Sequence, residues 1–72
     1  MSTAPAWLQA FADRLGVDAP SEEDVTRILE LAGSAAHASH RTAAPVACWM
    51  AAAAGLSPHE ALEIARRVDA ES

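Results

Sequence analysis

Apolar residues recur along this chain at the three-to-four-residue spacing of helices, in four blocks punctuated by glycine and proline. Trp7, Leu8, Phe11, Ala12 and Leu15 make the first stripe and leave Gln9, Asp13 and Arg14 outside it. This pattern predicts an amphipathic helix over about 4–15, beginning near Ala4 or Pro5, with Met1–Thr3 frayed. Gly16 offers the left-handed residue that ends helices, and Pro20 prevents continuation.

The second block, predicted over about 22–41, opens at Ser21, with Asp24 three residues on and Glu22 and Glu23 at the positive end of the dipole. Val25, Ile28, Leu29, Ala32, Ala36 and Ser39 form its stripe, Leu31 and Ala35 widen it, and Glu23 can pair with Arg27. Gly33 sits inside, implying a bend or a closely passing helix. A turn between Arg41 and Pro45 leads to a third helix over about 45–54 that lacks any polar face, the mark of a segment covered on most sides. Gly55 closes it. Ser57, Pro58 and Glu60 then start a fourth helix over about 58–69, with apolar Ala61, Leu62, Ile64, Ala65 and Val68 and a possible Glu63–Arg67 pair. The tail from Asp69 to Ser72 is expected to fray.

No block alternates with period two. The expectation is therefore one all-α domain over residues 1–72, a compact bundle of four short helices with the alanine-rich third helix at its centre.

Composition thins that picture. The aromatics are Trp7, Phe11 and Trp49, and alanine dominates the remaining apolar residues. Burial stabilises by about 25 cal/mol per Å² of apolar surface, so an alanine core contributes little. A protein partner or homo-oligomer is expected to supply what the core does not.

Ten Asp and Glu against five Arg and no Lys give a net charge of −5, and the arginines are scattered. Nucleic-acid affinity rests on cations that neutralise phosphates, so the global field disfavours DNA or RNA. Cys48 is alone, as in a reducing compartment, and no signal sequence is apparent. The uncharged run from Thr42 to Pro58 is short and weakly apolar for a membrane span. These features predict a cytoplasmic protein without a membrane segment.

The amino-terminal Trp-Leu, LGVD, a leucine-rich helix ending in LAGSAAHASHR, and AAP before an apolar helix together resemble an uncharacterised family of small helical domains in high-GC bacteria. The resemblance covers about residues 5–56. In that family the domain occurs alone or joined to the carboxyl side of a molybdenum cofactor guanylyltransferase-like domain. The family's turn reads Arg-Pro-Ala-Ala-Pro, whereas here Thr42 replaces the first proline, with Arg41 and Pro45 kept. The resemblance implies an accessory role near molybdenum cofactor or molybdoenzyme maturation, such as that of a formate dehydrogenase, and implies no activity.

Three constellations carry candidate chemistry. His37, His40 and Arg41 lie beside the start of the third helix, where free backbone N–H groups and a guanidinium could bind a phosphate or another oxyanion, although the same cations would also cap a helix end. His37 and His40, three residues apart, with Cys48 one turn into the next helix, are a weak metal-ligand set; histidine caps and a cysteine used as a small apolar residue are the favoured explanation. Residues 50–67 have helix-turn-helix spacing at Ala51, Gly55, Leu56, Ala61 and Ile64, but His59, Glu60 and Glu63 precede the cationic Arg66 and Arg67.

No nucleophile elbow or glycine-rich phosphate loop is present, so neither a catalytic residue nor a cofactor is expected. The sequence favours a non-enzymatic accessory or protein-interaction domain using the small-residue face of the second and third helices. Trp7 and Trp49 are its anchor candidates, unless both simply fill the core.

Overall fold

The computed structural model describes residues 4–71. The chain is all-α, a bundle of four helices: α1 Ala4–Leu15, α2 Glu22–Ala38, α3 Ala43–Ala53 and α4 Pro58–Glu71, with no strand among the described residues. The fraying expected at Met1–Thr3, and at Ser72, falls outside the described residues.

Local signals set most boundaries. Ser21 caps α2, its Oγ accepting from the Asp24 N–H at 3.1 Å. A complete capping box starts α4: the Glu60 N–H donates to Ser57 Oγ at 3.2 Å, and the Ser57 N–H to Glu60 Oε1 at 3.1 Å. Gly16 and Gly55 end α1 and α3 at φ of 74° and 76°. At both ends the next residue reaches back, Val17 N–H to the Ala12 carbonyl at 3.0 Å and Leu56 N–H to the Ala51 carbonyl at 3.2 Å. These are Schellman closures, which need a left-handed residue at that point.

Three boundaries differ from the sequence pattern. Helix α2 stops at Ala38, not near Arg41, because Ser39 leaves the helix at φ −135°, ψ −91° while its N–H still reaches the Ala35 carbonyl. Helix α3 begins at Ala43, ahead of Pro45, and Ala44 is helical despite preceding a proline. A proline in the first turn loses nothing, since its missing N–H would have no intrahelical partner there. Helix α4 continues through Asp69 to Glu71, held by two polar ties to α2: Arg66 to Glu30 at 3.1 Å and Ser34 Oγ to Asp69 Oδ2 at 2.6 Å.

The centre of the bundle is α2, not α3. Both α3 and α4 pack on α2. The fully enclosed cluster is Leu31 of α2 against Ala61 and Leu62 of α4, with Cys48, Ala51, Leu56 and Ala65 around it. Leu62, the most enclosed residue, is 2 % exposed. No residue of α3 is buried, and Trp49 is 76 % exposed. The lack of a polar face on α3 therefore does not come from an interior position. Its alanines give α2 too little side chain to enclose, and its large residues Val46, Trp49 and Met50 face out.

Gly33 lies inside an unbroken α2, and a Cβ built there meets nothing within 4 Å, so no close-passing helix explains it. The ion pairs also differ from the sequence spacing. Arg27 joins Glu30 at 3.2 Å instead of Glu23, and Glu63 meets His59 at 3.2 Å instead of Arg67. Both pairs are solvent-facing, where alternatives on one helix surface differ by a few tenths of a kcal/mol.

Candidate functional site

A concave, largely apolar surface lies between α2, α3 and α4. It is an open groove of about 460 Å³. Its floor is small, with Ala35 and Ala38 from α2, Ala47 and Ala51 from α3, and Ala61 and Ala65 from α4. Met50, Ile64 and Val68 rise along its margins, all substantially exposed. Polar groups enter at one end, where Ser34 donates to Asp69. The groove exists because α3 and α4 both lean on α2, while the alanine side chains between them are too short to close the gap.

The turn from α2 to α3 is built differently from the sequence expectation. His37 is in the last turn of α2, but His40 and Arg41 lie beyond its end, so the two histidines do not share a helix face. His40 closes the start of α3. Its Nδ1 lies 3.0 Å from Thr42 Oγ1 and accepts from the Thr42 N–H at 3.4 Å, while its carbonyl accepts from the Ala43 N–H at 2.8 Å. The Ala44 N–H donates to the Arg41 carbonyl at 3.2 Å, and Pro45 has no N–H to offer. The backbone donors that an oxyanion would need beside His37, His40 and Arg41 are therefore already paired or missing. All three side chains are exposed, and Arg41 forms no ion pair with any described residue.

Cys48 sits apart from that turn, packed against the Leu31–Ala61–Leu62 cluster, and burial pushes its thiol above the ordinary value. A neutral thiol among apolar neighbours behaves as a small hydrophobe. Among the described residues, no group of three His, Cys, Asp or Glu side chains could hold a metal ion, so His37, His40 and Cys48 do not converge as ligands. No helix among the described residues is long and apolar enough to cross a membrane.

In the 50–67 segment Ala51 and Leu56 pack against the Leu31–Ala61–Leu62 cluster, while Met50 and Ile64 border the groove. Of its two late cations, Arg66 is engaged with Glu30 of α2.

A family model described as a domain of unknown function, DUF6457, matches residues 1–71. The chain belongs to the DUF6457 family. No curated protein and no solved structure matches it. The DUF6457 domain carries its distinguishing features on its surface.

That surface is unusually apolar. Trp7 is 56 % exposed and Phe11 48 %, their rings tilted 32° with centroids 5.1 Å apart. Neither tryptophan fills the core. Leu8 and Leu15 extend the exposed stripe on α1, and Val46 and Trp49 make a second one on α3. The small-residue face of α2 and α3 supplies two walls of the groove. The third wall, α4, was not apparent from sequence, although Ala61, Ile64, Ala65 and Val68 recur at the spacing of one continuous helix face.

Proposed function

We propose that this chain is a non-enzymatic helical interaction domain that takes a polypeptide helix into the groove between α2, α3 and α4. The observation that carries this reading is the groove itself, apolar along its length and bordered by large exposed side chains. Contiguous apolar surface of this kind marks interaction sites on soluble domains, and helix-in-groove docking uses apolar residues at helical spacing. A role as an accessory in molybdenum cofactor or molybdoenzyme maturation rests on the sequence resemblance over residues 5–56 and suits a domain without catalytic groups.

A photo-crosslinking amino acid at Ala47, on the groove floor, tests the reading in cells that naturally make the protein. Irradiation should join it to a polypeptide, and the adduct should be absent when the probe stands at Glu71, remote from the groove floor. Equal labelling from both positions, or none from Ala47, would overturn the proposal.

A further inference from the structure

The chain carries its own candidate for the groove. Helix α1 presents Trp7, Leu8, Phe11 and Leu15 to solvent although their spacing is that of a core-facing stripe. From Trp7 to Leu15 the stripe runs about 12 Å at 1.5 Å per residue. The groove walls run a similar length, Leu31 to Ala38 along α2, about 10 Å, and Ala61 to Asp69 along α4, about 12 Å.

We propose that the occupant is a second copy of this chain, α1 of each protomer lying in the groove of the other. The inference rests on the groove-docking reading above and names its partner. The accessible surface of the chain is 5655 Å², whereas a compact monomer of 7.5 kDa exposes about 4,250 Å². The excess, about 1,400 Å² per chain, exceeds the roughly 800 Å² per partner that a standard stable interface buries. A reciprocal arrangement uses both unsatisfied surfaces at once, as a twofold dimer requires. Two chains of net charge −5 repel at long range, but the surfaces that would meet are nearly neutral. Helix α1 holds one Asp13 and one Arg14, and Asp69 is the single ionisable residue along the groove.

Sedimentation equilibrium on the whole chain reads the mass directly. The expected result is about twice 7.5 kDa, with Phe11→Asp and Ala47→Glu each weakening association at least tenfold or so, as removal of a central anchor does. Circular dichroism establishes that each variant is helical, and Ile64→Glu, at an exposed groove margin, replaces Ala47→Glu if that variant unfolds. Mixing the α1 variant with the groove variant should restore dimers, because one intact helix then meets one intact groove. Dimers that ignore Phe11→Asp, or variants that fail to complement, overturn the exchanged-helix arrangement. A monomeric wild type at hundreds of micromolar overturns self-association altogether. In that case an apolar fluorescent dye whose binding is lost in Ala47→Glu would leave the groove-docking reading standing, whereas absence of dye binding would remove both.

Discussion

Ser34 on α2 donates its hydroxyl to Asp69 on α4 across 2.6 Å. One turn away, Arg66 reaches Glu30 at 3.1 Å, so the partners ascend both helices together and α2 and α4 run in the same sense. These ties hold the end of α4, which charge and composition alone would leave loose. Replacing Ser34 with alanine should cost about 0.5–1.5 kcal/mol, the usual net value of one hydrogen bond, and should speed amide exchange at Ala70 and Glu71. Unchanged exchange there would show that the helix end does not depend on this bond.

Gly33 offers a gain instead of a loss. No neighbour lies within 4 Å of where its Cβ would stand, and its φ is not in the left-handed range. Gly33→Ala should stabilise the domain by about 0.5–1 kcal/mol, and a full kcal/mol corresponds to about 4–8 °C in Tm for a domain of this size. A thermal melt checks it. A lower Tm would mean that something does approach that face.

Glu60 gives the acid limb of stability its sign. Its carboxylate accepts the Ser57 backbone N–H, which holds its pKa below the ordinary 4.5. A carboxyl depressed in the folded state contributes stability above its unfolded value and loses it as pH falls through the lower folded value. The affected window is therefore at and below about pH 4.5. Glu60→Gln should flatten the fall of Tm with pH in that window. Parallel curves for variant and wild type would assign the acid sensitivity to other groups.

Much of the fold was legible in the residues themselves. Ser21, Gly16, Gly55 and the Ser57–Glu60 box act through bonds spanning a few residues, which sequence spacing encodes directly. The partners of α3 were not legible in the same way. A helix without a polar face can be enclosed by its own chain or left for another, and periodicity does not separate those cases. Trp49 and Trp7 depended on the same ambiguity. At the turn, Pro45 is compatible with two signals, a helix boundary and a first-turn residue. The second applies, and it leaves His40 just ahead of α3, where it accepts from the Thr42 and Ala43 N–H groups. The groove was hidden because it is a property of separation: no single helix records how far α3 stands from α4.

That separation gives the domain the form of a half-open book. Helix α2 is the spine, α3 and α4 are leaves that lean on it, and the Leu31–Ala61–Leu62 cluster with Cys48, Ala51 and Leu56 is the stitching where the leaves meet. The pages lie open only beyond that stitching, with Met50 on one leaf and Ile64 and Val68 on the other turned outward.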